Sequence, residues 1–594
     1  MKQFLACMVL LLVAASAWAQ TATARRPRAK HHAAAQPAVT ADDVKALREA
    51  LAAEQQQMAA QQQQMQQLQQ QLQQVQQQLQ QAQGKAETAA SAAGEAHQAV
   101  SALRTDLSEA KANSTTTAAA LQEERNKIDK LEHPTAIHYK GVTITPGGFI
   151  EAAGVIRNRN ENASVNSAPG DGNIPFPGSP NGHLSEFRFD ARQSRLSLKG
   201  EGKVGSTKVT GYYEVDFLGA APTANENQSN SFNPRQRQLW GQAAFSDGLT
   251  FTGGQQWSLF TLTRKGMDNL NEFLPMTINA QYVIGYDWAR QPGFRVTKNF
   301  NNKVWLGFAV ENAAMVLAAQ SVGAAAPAIA NGAGALSLGG IPVYGLNISA
   351  NAVSPNGNFT LANTPGANGV STNLAPDLVA KVTYEPGWGH FEIKGMARFF
   401  RDRYQGVSKE STGGALGFGA ILPVVKSKLD VVAEGSLGNG FGRYGSGGGW
   451  DVTFRPGGSL RPIRTYHALV GPEIHMGKKL DIYAYAGAEY YQRTAYFLNA
   501  TSAIGYGLPL ATNSNCVTSE QTATAAPGGA CNGNTRDAWE VTPGFAYRFY
   551  KGPAGALQWG VQYSYSRRTL WAGVGGGPEG NLSQVYTNFR YFLP

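Results

Sequence analysis

The chain has 594 residues, of which 15% are charged, with a formal net charge of +10 and three cysteines. No stretch beyond the amino terminus approaches 18 consecutive apolar residues, which excludes a transmembrane helix in the mature chain. At the amino terminus a charged start precedes an apolar run through Val13, and small residues follow at Ala17 and Ala19. This order is typical of a secretory signal, so residues 1–19 are predicted to be removed by cleavage before Gln20.

Two cysteines remain after cleavage, because Cys7 belongs to the signal. Cys516 and Cys531 flank a polar segment rich in Gly and Thr, and an exported protein folds in an oxidising compartment. No His or carboxylate cluster lies beside them in the sequence, so a disulfide within a loop is favoured over a metal or redox site. We expect no bound metal and no cofactor.

A long helix with a heptad pattern is predicted after a basic lead, rich in Ala and Pro, at residues 20–43. Core positions recur at alternating three- and four-residue spacing from Val44 to Leu131, and 21 of these 26 positions are apolar when Ala is counted. Such a seam needs partner helices to bury it, so residues 44–132 are predicted to form a coiled coil. The seam does not distinguish two strands from three. The alternative is a Gln-rich tract of low complexity, Gln55 to Gln83, that is helical by composition alone.

Strands are predicted throughout residues 133–594, where apolar residues recur at every second position. Eighteen segments fit this pattern, of which 292–299 and 449–455 are the weakest. They are 147–157, 186–199, 207–217, 234–245, 248–258, 279–288, 292–299, 302–312, 376–385, 389–401, 413–424, 427–437, 449–455, 464–475, 478–492, 537–549, 556–567 and 583–593.

The connections between these segments are either tight turns or long polar loops, a division typical of barrels in the outer membrane of Gram-negative cells. The long loops are 158–184, 313–375 and 493–536. We therefore predict an all-β transmembrane barrel of about 16–18 antiparallel strands, preceded by the α-helical coiled coil in the periplasm. The alternative is an extracellular β-sandwich or propeller array, although no blade-like repeat is visible.

The positive charge is concentrated in the predicted barrel, which holds 38 basic and 29 acidic residues. A pore lined by one sign of charge concentrates ions of the opposite sign. Basic residues within strands or at their ends are candidates for the solute path, because a charge facing lipid costs roughly 2–4 kcal/mol. They are Arg192, Arg195, Lys199, Arg235, Arg237, Arg290, Arg295, Arg398 and Arg401, and the acidic side chains Glu214 and Asp216 are expected to share the lumen.

Two qualifications apply to this set. Arg192 has the same parity as Leu196 and Leu198, so it needs a bulge or a strand end to reach the lumen. The alternative for any one basic residue is a place on a loop or at the lipopolysaccharide rim.

Several stretches resemble the DcaP-like trimeric porins, relatives of the phosphate-selective porins. They are Ala191 to Lys199 (ARQSRLSLK), Tyr213 to Phe217 (YEVDF), Gly254 to Ser258 (GQQWS), Ala289 to Arg295 (ARQPGFR) and the amino-terminal heptad region. The resemblance implies a homotrimer of roughly 16-stranded barrels that passes small anionic solutes, such as dicarboxylates, through a basic constriction. It also implies that Arg192, Arg195, Arg290 and Arg295 lie at the constriction, and that the stretch from Arg264 and Lys265 to Pro275 belongs to a loop that narrows the lumen. A phosphate-selective pore would need a denser Lys cluster, so organic anions are favoured. The carboxyl terminus departs from the common pattern, since Leu593 and Pro594 follow the aromatic Phe592.

We therefore predict an outer-membrane porin for passive diffusion of small, preferably anionic solutes. No Gly-x-Ser-x-Gly elbow, His-Glu-x-x-His pair or phosphate-binding loop stands in a suitable context, so the chain is not predicted to be an enzyme. The expected partners are two further copies of the chain, outer-membrane lipid and lipopolysaccharide, small anions and peptidoglycan, but no nucleic acid. The alternative function is an envelope tether, in which the coil reaches the cell wall and the barrel is an anchor.

Overall fold

The computed structural model describes residues 101–124, 136–161, 163–167, 174–219, 232–318, 320–325, 329–332, 335–338, 341–344, 373–516 and 531–594. The chain divides into two units, Met1–Glu123 and Glu124–Pro594. The predicted signal, the basic lead and most of the predicted coiled coil lie outside the described residues.

Residues 101–124 form an α-helix. Leu103, Leu107 and Leu121, which occupy core positions of the heptad, are exposed in this single chain. Within the described part of the chain, no helix combines the length and apolarity that crossing a bilayer requires.

Sixteen antiparallel strands form a closed barrel. They are β1 (Val142–Arg157), β2 in two pieces (Glu186–Asp190 and Arg195–Val204), β3 (Thr207–Gly219), β4 (Asn233–Ala244), β5 (Leu249–Trp257), β6 (Arg290–Phe300), β7 (Val304–Glu311), β8 (Asp377–Tyr384), β9 (His390–Tyr404), β10 (Val407–Val425), β11 (Leu429–Asn439), β12 (Arg464–Met476), β13 (Leu480–Tyr491), β14 (Thr535–Gly552), β15 (Gly555–Leu570) and β16 (Glu579–Phe592). Each strand pairs with the next, and β16 pairs with β1 from Phe149↔Phe592 to Arg157↔Gln584, which closes the sheet.

Shorter elements lie outside the barrel wall. Strand Ile137–Tyr139 pairs with the start of β1, and the others belong to the loops. These are strands Gln320–Val322, Ile329–Gly332, Ala335–Leu338, Ile341–Tyr344, Val452–Phe454, Leu460–Pro462, Thr494–Asn499 and Ser502–Tyr506, and 3-10 turns Pro180–His183, Gly442–Tyr444 and Ser514–Cys516.

The strands alternate between an apolar outer face and a polar inner face. On β9, His390, Glu392 and Lys394 are buried inside the barrel, whereas Ile393 is exposed on the outside. On β3, Tyr213 is exposed outside, whereas Glu214 and Asp216 point inward. Apolar side chains outside and charged ones inside are the arrangement of a membrane barrel and the reverse of a soluble sandwich.

The two ends of the barrel differ in the length of their connections. Short turns at one end join β2 to β3, β4 to β5, β6 to β7, β8 to β9, β10 to β11, β12 to β13 and β14 to β15. Nearly all connections at the other end are long. The exception is the two-residue turn 405–406 between β9 and β10. In outer-membrane barrels the short turns face the periplasm.

Sixteen of the eighteen predicted segments are barrel strands, including the weak one at 292–299, and two predictions were wrong. Residues 279–288 form no strand, because this stretch folds into the barrel with Tyr282, Val283 and Ile284 buried there. In the segment 449–455 only Val452–Phe454 is extended, in a small sheet with Leu460–Pro462 within a loop.

Candidate functional site: the barrel lumen

The connection between β5 and β6 fills part of the lumen. Residues 258–289, between β5 and β6, form what we call the inward segment, and its side chains Phe260, Leu262 and Tyr286 are fully buried. It contains the stretch from Arg264 to Pro275 that the sequence predicted to narrow the lumen. An apolar core thus occupies one side of a barrel whose inner wall is otherwise polar.

Wall carboxylates hold this segment by its backbone. Five backbone N–H groups of the segment donate at 3.2 Å or less to glutamates of the wall or of the short turn at 385–389, and a sixth, that of Asp287, donates to Glu434 at 3.4 Å. The pairs are Leu259 with Glu311 (2.7 Å), Thr263 with Glu392 (3.2 Å), Gly266 with Glu385 (2.6 Å), Ile284 with Glu540 (3.1 Å) and Gly285 with Glu489 (2.9 Å). Because a buried N–H needs an acceptor, these glutamates anchor the segment.

Uncharged side chains of β15 and of the break in β2 also hold the segment. Gln562 accepts from the Ile278 N–H at 2.6 Å. Gln193 accepts from the Ala280 N–H at 2.8 Å and donates to the Ile278 carbonyl at 3.0 Å. The segment therefore contacts strands on both sides of the barrel.

Buried ion pairs close the lumen behind the segment. Charged side chains on β8 to β12 form ion pairs with one another, with the inward segment and with the loop after β11. The pairs are Lys381–Glu392 (2.7 Å), Lys394–Glu434, Arg264–Glu473 (2.9 Å), His467–Asp287 (2.6 Å), Arg398–Asp377 (3.1 Å) and Arg398–Asp451 (2.7 Å). Apart from Arg264, the charged side chains of these pairs are therefore buried against their partners and are not exposed to a solute.

Arginines gather on the opposite side of the lumen. Arg195, Arg235, Arg237, Arg290 and Arg590, which we call the arginine cluster, come from β2, β4, β6 and β16. Several inward side chains there keep part of their surface exposed, 34% for Lys199, 35% for Arg235 and 19% for Arg590, although Arg237 is 2% exposed; Lys381 and Lys394 across the barrel are 0% exposed. A cavity lined by Arg195, Tyr282 and Arg590 lies on the same side, which favours a passage along β1 to β4 and β16.

Three members of the cluster are paired with carboxylates. Arg235 donates to both oxygens of Asp216, at 3.0 and 2.8 Å. Arg237 donates to Glu214 at 2.5 Å and to Asp216 at 2.9 Å. Arg590 of β16 donates to Glu151 of β1 at 2.9 Å. Five guanidinium groups thus face three carboxylates, so positive charge is in excess.

The other two members, Arg195 and Arg290, have no carboxylate within 4 Å among the described residues. The Arg195 guanidinium lies 5.4 Å from the centre of the Phe149 ring, and Arg290 lies 5.4 and 5.5 Å from the rings of Trp257 and Trp288. Arg195 Nε and Arg290 Nη1 are buried without a hydrogen-bond acceptor in the part of the chain that the structure describes. Both groups therefore retain hydrogen-bond donors without an acceptor among the described residues.

The remaining predicted residues lie elsewhere. Arg192 occupies the break between the two pieces of β2, as its parity required, where its Nε donates to Asp190 at 2.7 Å. Lys199 pairs with Glu201 at 2.9 Å nearer the short-turn end. Arg295 faces inward and donates to Asn269 at 3.3 Å, which ties β6 to the inward segment.

Arg398 and Arg401 do not join the cluster. Arg398 faces inward but is fully buried between Asp377 and Asp451, so it is not available to a solute. Arg401 has the opposite parity on the same strand, and it pairs with the exposed Glu410 at 2.7 Å on the outer face. Its prediction as a lumen residue is corrected, because two residues three apart on a regular strand cannot share a face.

The sequence analysis missed Arg590 as a member of the arginine cluster. Arg590 is in phase with Tyr586 and Asn588 on β16, and both of these are buried inside the barrel. That alternation was visible in the sequence and was sufficient to find it. The buried pairing of Lys381 and Lys394 had no local signal, because their partners come from other strands.

Two acidic groups in the inward segment titrate abnormally. Burial raises the pKa of the Glu272 carboxyl, with Arg295 acting in the opposite direction. Burial also raises the pKa of Asp268, and Lys208 partly offsets the effect. The segment therefore loses negative charge more readily on acidification than ordinary carboxylates do.

One group of side chains near the short-turn end has metal-ligand geometry. Ligand atoms of Asp430, Glu473 and His475 lie within 4.8 Å of one another. Glu473 already accepts two bonds from Arg264, at 2.9 and 3.1 Å, and one from the Tyr485 hydroxyl at 2.6 Å. A cation would have to displace these donors, so the donor set fits the anchoring of the segment better than a metal.

Cys516 and Cys531 are joined in a disulfide within the loop between β13 and β14. Cys516 packs with Phe176 and Leu570 in a small apolar cluster. The bridge therefore fixes this loop against its neighbours and does not touch the arginine cluster.

Comparison with known proteins gave no matching family model and no matching curated sequence. Among solved structures, the outer membrane channel DcaP of Acinetobacter baumannii is similar over 77% of this chain and 100% of its own, with a TM-score of 0.50 and 15% identity. The chain has the fold of a porin. The expected resemblance to DcaP-like porins is thus confirmed for the fold.

More distant structures include an anion-selective porin from Comamonas acidovorans, with a TM-score of 0.39, 11% identity and coverage of 76% of this chain and 100% of that one. OmpF of Salmonella typhi, in complex with daunomycin, has a TM-score of 0.38, 10% identity and coverage of 77% and 100%.

Proposed function

We propose that this porin is a passive channel for small hydrophilic solutes that prefers anions, with organic acids and dicarboxylates as the favoured class. The observation that carries the proposal is the pair of guanidinium groups without carboxylate partners, Arg195 and Arg290, beside the open passage. The acidic side chains on the other side of the lumen are occupied as anchors and ion-pair partners. The charge left to act on a solute is therefore positive.

The mechanism needs only electrostatics and hydrogen bonding. A positive surface within low-dielectric walls raises the local concentration of anions. A carboxylate that reaches the constriction accepts hydrogen bonds from the Arg195 and Arg290 guanidinium groups, which compensates for the water it loses. Neighbouring Arg237 and Arg590 give the anion alternative partners, so that it can move along the lumen without being trapped. The solute gradient drives the flux.

We further propose that three chains assemble, with their helical segments joined in a periplasmic coiled coil that reaches towards peptidoglycan. The heptad spacing and the exposed Leu103, Leu107 and Leu121 support this assembly. Lipid and lipopolysaccharide then surround the outer faces of the three barrels.

Uptake by proteoliposomes tests the proposal. The purified full-length protein is reconstituted, and the entry of labelled succinate is compared with that of erythritol, a neutral solute of similar size, with protein-free liposomes as the blank. We expect faster entry of the dianion at low ionic strength and a smaller difference at high salt. Equal rates for the two solutes at low salt would contradict the anion preference.

A further inference from the structure

The second arm of the inward segment, residues 276–289, depends on two buried glutamates. Glu540 of β14 accepts from the Ile284 N–H at 3.1 Å, and Glu489 of β13 accepts from the Gly285 N–H at 2.9 Å. The two glutamates are 2% and 1% exposed. Adjacent backbone groups of the arm are thus held by two neighbouring strands.

The arm is pressed directly against the wall at this point. Gly285 has a φ of +89°, and a Cβ added to it would overlap the Ala468 carbonyl oxygen. A Cβ added to Gly487 of the wall would overlap the Ile284 carbonyl oxygen. Two glycines therefore permit a backbone contact so close that the arm cannot move outward. If it is released, it can move only towards the passage.

Unlike the glutamates in the ion pairs on β8 to β12, the anchors Glu489 and Glu540 have no lysine or arginine partner among the described residues. Glu540 also accepts from the Thr542 hydroxyl at 2.5 Å and, within the described ranges, has no Lys, Arg or His within 4 Å. Glu489 also accepts from the Gly447 N–H at 2.8 Å and from the Tyr491 hydroxyl, and its nearest cation is His467 at 3.9 Å. The other charged or titratable groups facing this contact are Asp287, Glu434, Lys394, Glu161 and Tyr586.

We propose that Glu489 and Glu540 are positioning residues that hold the second arm away from the passage, and that acid releases the arm and closes the channel. This inference rests on the proposed function, because it requires a passage beside the segment. An ionised carboxylate makes hydrogen bonds roughly twice as strong as a neutral acceptor does. Protonation weakens each anchor, and no nearby Lys or Arg replaces the attraction at Glu540.

The test is single-channel conductance of the full-length protein in symmetric salt as the pH is lowered from 7 to about 4, where an ordinary carboxyl group is half protonated. The native protein is expected to lose most of its conductance in discrete steps. The double substitution Glu489→Gln with Glu540→Gln replaces both carboxylates by neutral acceptors, as protonation does, so it is expected to have a low conductance already at pH 7 that changes little as the pH is lowered. Glu410→Gln, which alters an exposed carboxylate on the outer face, is the control and is expected to close as the native protein does.

Two results would overturn the proposal: a native channel that stays open at pH 4, or a double variant that is as open at pH 7 as the native protein and closes at the same pH. If the double variant fails to fold, Glu540→Gln alone must shift the closing pH upward. Glu540→Ala removes the acceptor altogether, and it is expected to close intermittently at pH 7. Closure is measured in symmetric salt and does not depend on ion preference, so a channel without anion selectivity would still report on the anchors.

Discussion

The difference between Arg195 and Arg398 lies in their partners. Both side chains point into the barrel, but Arg398 is fixed between Asp377 and Asp451, whereas Arg195 lies beside Phe149 and has no carboxylate within 4 Å among the described residues. Strand periodicity indicates the direction of each side chain, and it did so for Arg195. It does not indicate whether a carboxylate from a distant strand or loop neutralises the charge, because Asp451 is 53 residues from Arg398.

Replacing Arg195 by Ala is expected to lower the anion preference of the channel. The change removes a guanidinium group with no carboxylate partner among the described residues, so its full charge acts on the passage. Arg401→Ala is the matched control, because Arg401 lies on the outer face beside Glu410. The measurement is the ratio of anion to cation permeability in a salt gradient. A ratio unchanged by Arg195→Ala would remove this residue from the constriction.

For the inward segment, the sequence predicted one part correctly and another part wrongly. The expected loop from Arg264 to Pro275 was found, but the following residues 279–288 were predicted as a strand. They alternate apolar and polar residues, as strands do, although Tyr282, Val283 and Tyr286 all pack in one apolar cluster with residues of the barrel wall. Because a barrel strand and a buried irregular segment can show the same periodicity, a single sequence does not distinguish the two.

Replacing Arg264 by Ala is expected to destabilise the inward segment by roughly 2 kcal/mol, because it leaves the fully buried Glu473 without its cation. The loss is moderated by the Tyr485 hydroxyl and by the partial exposure of Arg264. The measurement is the temperature at which the barrel loses its heat-modified mobility in detergent gels.

Adding Glu473→Gln to Arg264→Ala is the control for this prediction. The double variant has no buried unpaired charge, so it should recover part of the lost stability. If Arg264→Ala alone has no effect on the unfolding temperature, the Arg264–Glu473 bridge does not anchor the segment.

At the scale of the molecule, the proposed positive passage depends on which charged side chains of the barrel are left without partners. The barrel region has 38 basic and 29 acidic residues, a ratio that by itself allows a mixed lumen. The acidic side chains Glu311, Glu392, Glu489 and Glu540 accept hydrogen bonds from the segment's backbone. Composition predicts a positive lumen, but it does not indicate which carboxylates hold the segment, because that depends on contacts between distant strands.

The coiled coil yields a prediction about assembly. Deleting residues 44–132 is expected to leave the conductance of each barrel unchanged and to reduce the share of protein recovered as a trimer, because the helical seam no longer joins the chains. Native mass spectrometry and the grouping of conductance steps measure the two effects. Under the alternative of an envelope tether, the deletion would loosen the envelope while the trimer remained intact.

The central claim is that the passage carries net positive charge, and the reversal potential of the purified full-length protein in a planar bilayer tests it most directly. With a salt gradient across the bilayer, the potential at zero current reports the ratio of anion to cation permeability. We predict anion preference, with conductance steps that arrive in threes and a preference that weakens at high salt. Cation preference would contradict the account, because it would mean that the basic excess lies on loops and rims and that Arg195 and Arg290 do not act on the permeating ion.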